Sequence, residues 1–328
     1  MLSRVVKASG RPASISLAQA HPKPEHWKML LERIAASKAD GMEIRAQVAP
    51  RPIGVMLGLQ TTYGPFQNCP SFQEIAERPL AEMVAIMKRD EFREKLLEEV
   101  RTRPGWGLGA TAVPIDYRNV FPLGNPPDYE PAPERSVAAI ARRRGISDEA
   151  LAYELLLEDD GRALMLMPFA NFAQGTLDPV RQMLSHEHSI LGLGDGGAHV
   201  GIISDASFTT YLLSHWGRDR AEGRFELPFL IRKMTSMTAA AVGLHDRGIL
   251  EVGMKADINI IDLDALGLDV PEIVHDLPAG GRRLVQRATG YRASIVSGRP
   301  TYLDGKATGA LPGRLVRGGQ ADPRQRPQ

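Results

Sequence analysis

One stretch governs what this chain can fold into: Ser189-Ile-Leu-Gly-Leu-Gly-Asp195-Gly-Gly-Ala-His199. Its first part is apolar and has the length of a short buried strand; its second part is glycine-rich around a single carboxylate. Glycine lacks a Cβ, so it permits sharp turns and close approach by a ligand. A strand running into such a turn puts Asp195 at its carboxyl end, where parallel α/β folds carry their chemistry. A carboxylate in that place can take a proton from water, ligate a metal, or do both. The plain alternative is an Asp-Gly turn with no chemistry. Gly192-x-Gly194-x-x-Gly197 also has the spacing of a dinucleotide-binding loop. An aspartate inside that loop would repel a pyrophosphate, and the motif comes late, after other α/β material, so the nucleotide reading is set aside.

The rest of the chain supplies the α/β context. Ser14 to Gln19 reads as a strand, Glu25 to Lys38 as a helix with Trp27, Leu30, Leu31 and Ile34 on one face, and Met42 to Val48 as an alternating strand. Strand, helix, strand implies parallel pairing and a right-handed crossover. Further on, helical patterns are expected within Pro79 to Val100, over Ser136 to Arg144, over Asp148 to Leu157 with Ser147 as its cap, and over Asp178 to Ser185. Strands are expected at Trp106 to Pro114 and Arg162 to Pro168, and a helix at Phe229 to Val242. Val120 to Pro133 is proline-rich and reads as a surface or lid segment. After Gly243 the pattern changes: Gly253 to Asp262 and Tyr291 to Gly298 are strands with no crossover helix between them, a separate small β element. From Pro312 the chain is basic, rich in Gly and Pro, and reads as frayed.

Composition narrows the function classes. Forty basic residues against 39 acidic ones leave a formal charge of +1, so neither nucleic acid nor a membrane surface is expected as a partner. No apolar run approaches the ~20 residues of a membrane span, and the amino terminus lacks the apolar core of a signal peptide. The single cysteine, Cys69, excludes an internal disulfide framework and a cysteine-rich zinc site, and fits a cytoplasmic setting.

Read together and in order, several runs resemble the amidohydrolase superfamily and, within it, the N-acyl-D-amino-acid deacylase group (amidohydrolase family 3). These are Leu193-Gly-Asp-Gly-Gly-Ala-His199, His215-Trp-Gly-Arg-Asp219, Lys233-Met-Thr-Ser-Met-Thr-Ala239, Arg247-Gly-Ile-Leu-Glu-Val-Gly253-Met-Lys-Ala-Asp257 and Thr308-Gly-Ala-Leu-Pro-Gly-Arg314. The resemblance is densest from about 180 to 318. It implies an α/β fold: part of a (β/α)8 TIM-like barrel, its second half, over 1–245, strands of a small β-sandwich over 246–318, and a flexible tail at 319–328. It also implies hydrolysis of non-peptide C–N bonds, N-acyl (D-)amino acids being the expected substrates, with zinc or another divalent metal as cofactor. The resemblance makes Asp195 both metal ligand and general base.

Three further residues are expected on the substrate side. Arg51 could clamp a carboxylate in bidentate fashion, His199 could donate to a carbonyl oxygen or carboxylate, and Gln47 stands near a position where the family carries a strand histidine. Glutamine is a poor zinc ligand beside histidine. Gln19 or His21 falls near the other such position. The family's early His-x-His is not matched upstream of Ser14, and His186-Glu-His188, which has the spacing, precedes its strand instead of ending one. Truncation is the economical explanation: Met1 falls about where the second half of the family barrel begins, so metal ligands are expected from outside this chain. Half a barrel leaves unpaired strand edges, which favour association, a homo-oligomer included. The alternative function is a non-catalytic barrel fragment or pseudoenzyme that serves as a binding subunit.

Overall fold

A computed structural model describes residues 1–102, 114–194 and 199–325. Helix α1 (Leu2–Ser9) leads into strand β1 (Ala13–Leu17), helix α2 (His26–Ala39) and strand β2 (Ile44–Val48). The helix forms where the apolar period required it, and it buries Trp27, Leu31 and Ile34. In β2 alternate residues Ile44, Ala46 and Val48 are buried while Arg45 and Gln47 point to the other face. The two strands pair in parallel, from Ala13 opposite Ile44 to Leu17 opposite Val48.

The chain then leaves this sheet. Strand β3 (Ile53–Leu57) is followed by helices α3 (Pro70–Gln73), α4 (Leu80–Met87) and α5 (Asp90–Thr102), strand β4 (Phe121–Pro122), and helices α6 (Val137–Arg144) and α7 (Asp148–Leu157). Ser136 Oγ accepts from Ala139 N and Ser147 Oγ from Ala150 N, each at 3.2 Å, and these caps set where α6 and α7 begin. Strand β5 (Met165–Ala170) comes next, and it pairs antiparallel with both β3 and β4. The strand expected at 162–168 therefore belongs to a second sheet. Gly54 lets β3 lie close against β5, since a Cβ there would stand 2.6 Å from Met167 O. A separate apolar core packs around it, including Val55, Leu57, Phe66, Phe72, Met83, Leu151, Met165 and the free, buried Cys69. The strand expected over 106–114 lies, but for Pro114, outside the described residues.

Helix α8 (Asp178–Ser185) returns the chain to the first sheet, and strand β6 (Ser189–Leu191) joins β2 in parallel, Ala46 opposite Ser189 and Val48 opposite Leu191. The order is β1-β2-β6, so three carboxyl ends point the same way. The larger core, which includes Leu17, Trp27, Val48, Leu184, Leu213 and Trp216, packs against this sheet.

Helix α9 (Phe208–Ser214) runs on into a wide helical turn over His215–Asp219. The single helix expected at 229–242 is two, α10 (Leu227–Met234) and α11 (Ser236–Ala241), broken where Thr235 takes φ −114°, ψ −90°. Thr235 Oγ1 bonds back to Ile231 O at 2.7 Å, and Thr238 Oγ1 to Met234 O at 2.7 Å; hydroxyls that compete for helix carbonyls bend or end the helix.

Strands β7 (Ile258–Ile261), β8 (Gly267–Leu268), β9 (Glu272–Leu277), β10 (Gly281–Val285), β11 (Ala288–Thr289), β12 (Tyr291–Val296), β13 (Arg299–Leu303) and β14 (Lys306–Ala307) follow. They form one four-stranded sheet, β14-β13-β12-β7, and two two-stranded pairs, all antiparallel. Beyond them the tail comes back onto the molecule: His245 N donates to Gln320 O at 3.0 Å and Gln320 N to Gly243 O at 2.8 Å. Among the described residues no helix is long and apolar enough to cross a membrane.

Candidate active site

The carboxyl ends of the parallel strands carry Gln19 after β1, Ala49-Pro50-Arg51 after β2, and Gly192-Leu193-Gly194 after β6. Asp195, with Gly196 to Ala198, lies outside the described residues. The backbone on both sides of it is informative. Leu193 (φ 65°) and His199 (φ 50°) are non-glycine residues in the left-handed region, a conformation that costs ~1–3 kcal/mol per residue and persists only where surroundings enforce it. Gly192 meets the side chain of Gln47: an added Cβ would lie 2.7 Å from both Gln47 Cβ and Oε1. Gln47 Nε2 in turn donates to Ser14 Oγ at 2.7 Å. Gln47 is thus brought against the turn that leads to Asp195. His199 is exposed at the far end of that turn, its carbonyl accepting from Ile202 N at 2.9 Å and Ile203 N at 3.1 Å.

Arg51, expected as an open clamp for a substrate, is 1% exposed. Its Nη2 donates to Ser204 O (2.6 Å) and Asp205 Oδ1 (3.3 Å), and its Nη1 to Ser207 Oγ (3.2 Å) and Gln286 Oε1 (3.3 Å). The guanidinium is sandwiched between the rings of Tyr129 (4.0 Å) and Phe208 (4.6 Å), a placement suited to a planar, weakly hydrated cation. It ties the end of β2 to the loop that follows Asp195 and to the β-rich segment. Its Nε has no partner among the described residues.

Gln19 is fully buried and its amide is committed to protein groups. Oε1 accepts from Ala173 N at 3.0 Å, and Nε2 donates to Gln174 Oε1 at 3.3 Å. His21 Nε2 is buried with no partner among the described residues, and burial lowers the ring's pKa. His186 and His188 stand 5.5 Å apart ring to ring, but His186 Nδ1 accepts from His188 N, as a local helix-end contact. Among the described residues no group of three or more His, Cys, Asp or Glu could hold a metal ion. Those residues by themselves therefore do not fit a metal centre.

Sequence reasoning singled out His215 in its motif but missed the partners Glu130 and Arg220 that gather a charged cluster around it. Glu130, in the segment read as a lid, is half-buried; its Oε2 meets His215 Nε2 at 2.7 Å and accepts from Arg220 Nε at 2.9 Å. Its Oε1 accepts from Arg220 Nη2 at 2.9 Å and Leu177 N at 2.8 Å. Burial alone would raise the Glu130 pKa, but the bonds from His215 and Arg220 outweigh it and hold it at about 2. His215 stacks on Tyr211, centroids 4.5 Å apart at 13°. Glu130, Asp178, His215 and Arg220 line a cavity of ≈ 860 Å³. No motif marks Glu130; the only signal was a carboxylate inside a proline-rich run. Arg218 and Asp219 pair with each other at 2.5 Å, and Arg218 also donates to the carbonyls of Leu263, Asp264 and Leu266, pinning the end of the wide turn to the β-rich segment.

Comparison with known proteins adds an independent line. The sequence profile of the Amidohydrolase family matches residues 106–302. The D-aminoacylase of Alcaligenes xylosoxydans xylosoxydans is 34% identical over 105 residues, 32% of this chain and 19% of that protein. Among solved structures, a D-aminoacylase is similar with 20% identity and a TM-score of 0.47, over 94% of this chain and 50% of that one. An N-acyl-D-glutamate deacylase from Bordetella bronchiseptica, solved with zinc and a phosphonate inhibitor, is similar with 16% identity and a TM-score of 0.44, over 92% of this chain and 49% of that one. The chain spans about half the length of these solved proteins and 19% of the length of the curated relative is matched.

Proposed function

This chain belongs to the amidohydrolase family, and on that premise we propose that it serves the metal-dependent hydrolysis of a non-peptide C–N bond, with N-acyl (D-)amino acids as the substrate class. The observation that carries the proposal is the family match over 106–302, which includes the glycine turn after β6. In this reading Asp195 is the general base that accepts the proton of the attacking water. The two left-handed residues that flank it support that reading, because strain of this kind is kept where a loop must present a group in one geometry. Gln47 and His199, on either side of the same turn, are proposed to face the substrate. Arg51 is proposed to act through the loop it holds, its donors being directed at Ser204, Asp205, Ser207 and Gln286. The divalent metal, zinc or another, is proposed to draw ligands from outside the described residues.

The test is release of free amine from a panel of N-acyl-D- and N-acyl-L-amino acids, with and without added zinc, by the wild-type chain and by Asp195→Asn. Release that vanishes in Asp195→Asn, with unchanged circular dichroism, is the expected result. Equal release by the variant overturns the role of Asp195.

The second reading, a non-catalytic binding subunit, is favoured by the lack of a three-ligand set among the described residues. It predicts a folded chain that holds no metal stoichiometrically by elemental analysis and releases no amine.

A further inference from the structure

A cavity of ≈ 630 Å³ opens at the amino end of the parallel strands, lined by Arg45 of β2, His186 just before β6, and Lys233 of α10. Gly192 leaves β6 at its other end, roughly 10 Å from Ser189 along the strand at ~3.3 Å per residue. The cavity therefore lies at the opposite end of β6 from Gly192.

The charges around this cavity do not balance. Lys233 is 2% exposed, and its Nζ donates to Ser189 O (2.7 Å), Ser189 Oγ (2.8 Å) and His186 O (3.0 Å). All three of its donors go to neutral acceptors, so its charge is held by dipoles alone. Burial first, and then the positive charges of Arg45 and Arg232, lower its pKa to about 8. Among the described residues Arg45 pairs with Glu43 at 3.6 Å, and Arg232, which is exposed, makes no ion pair or side-chain hydrogen bond. Across the cavity the remaining cations are neutralised: Arg247 by Asp246 (2.8 Å) and Asp257 (3.3 Å), Arg324 by Asp322 (2.6 Å) and Glu251 (2.8 Å). Of the carboxylates that line it, Asp322 is thus engaged and Glu187 is 83% exposed.

The remaining wall is apolar, with Phe229, Met237, Ala240, Leu244 and Ile249. A concave apolar wall beside two arginines, one loosely paired with Glu43 at 3.6 Å and the other without an ion pair among the described residues, has the chemistry to hold an anion that carries a hydrocarbon tail. Guanidinium groups match carboxylate geometry, and Arg45, with 30% of its side chain exposed, is partly withdrawn from solvent while Arg232 is exposed at the rim. We propose that this cavity is a binding site for a small amphiphilic carboxylate, its head on Arg45 and Arg232 and its tail against Phe229, Met237 and Leu244.

Isothermal titration of the full chain with octanoate tests this, with octanol and inorganic phosphate as the tail-only and head-only probes. Saturable octanoate binding is expected, with both partial probes and Arg45→Gln/Arg232→Gln weaker by about tenfold or more (a factor of ten being about 1.4 kcal/mol). Arg45→Lys/Arg232→Lys, which keeps the charge but loses the planar fork, should bind more tightly than the glutamine pair and more weakly than wild type, and a lysine pair no better than the glutamine pair overturns the role of charge. Octanoate that fails to saturate at millimolar concentration overturns the proposal. So does binding that survives the glutamine pair, or octanol that binds as tightly as octanoate. If the glutamine pair fails to fold, the lysine pair and the octanol comparison still decide.

Discussion

Arg51 and Asp205 meet at 3.3 Å with 1% and 10% of their side chains exposed, joining the end of β2 to the loop that follows the Asp195 turn. The pair also reaches the β-rich segment, because the same guanidinium bonds Gln286 Oε1 and stacks under Tyr129, whose hydroxyl donates to Gln286 Oε1 at 3.1 Å. Three distant stretches of sequence therefore depend on one buried cation.

Removing Arg51 takes away a buried cation that bonds Ser204, Asp205, Ser207 and Gln286 at once. Arg51→Met is expected to lower unfolding free energy by ~3–5 kcal/mol, read from urea denaturation. Arg51→Met/Asp205→Asn should recover part of that loss, since the two charges of the pair are then removed together. A single variant within 1 kcal/mol of wild type, at about the precision of such measurements, would refute the anchoring role.

Glu130 makes a prediction about acid. Its folded pKa, about 2, lies below the ordinary 4.5 because His215 and Arg220 bond the ionised form. A depressed carboxylate stabilises the fold above its unfolded pKa, and that contribution is lost as pH falls from about 4.5 towards 2. The full gap is worth roughly 3 kcal/mol at about 1.4 kcal/mol per pKa unit. Denaturation of wild type and Glu130→Gln at successive pH values should show the difference between them shrinking over that window. A difference that stays constant down to pH 2 would contradict it.

Gly192 is expected to tolerate no side chain. Gly192→Ala sets a methyl 2.7 Å from Gln47 Cβ and Oε1, and overpacking of this kind costs ~1–3 kcal/mol. Adding Gln47→Ala should restore only part of the loss, because the β-carbon at 47 is itself one of the two clashing atoms. Thermal unfolding of the single and double variants measures both effects.

What could be read along the chain follows a simple division. Helix α2 was legible because its apolar period repeats over many residues, α7 because Ser147 announces its start, and β2 because strict alternation has no helical reading. The break at Thr235 was not legible, because threonine in a helix either back-bonds or faces solvent according to its surroundings. Strand β3 was missed and the antiparallel pairing of β5 was not foreseen, since direction of pairing leaves no trace in a short apolar run.

The same division runs through the candidate site. A glycine turn around a carboxylate at a strand end is a local pattern, so the sequence alone determined where to look, and with its ordered motifs it determined the family. Residues that work by being enclosed have no local pattern. Arg51 and Glu130 look like surface charges in a string of letters, and only the folded chain decided that one is sandwiched between two rings and the other is held by four hydrogen bonds. The physical reason is that burial of a charge depends on partners from remote segments. Residues 129, 205 and 286 come together at Arg51 only when the chain is folded.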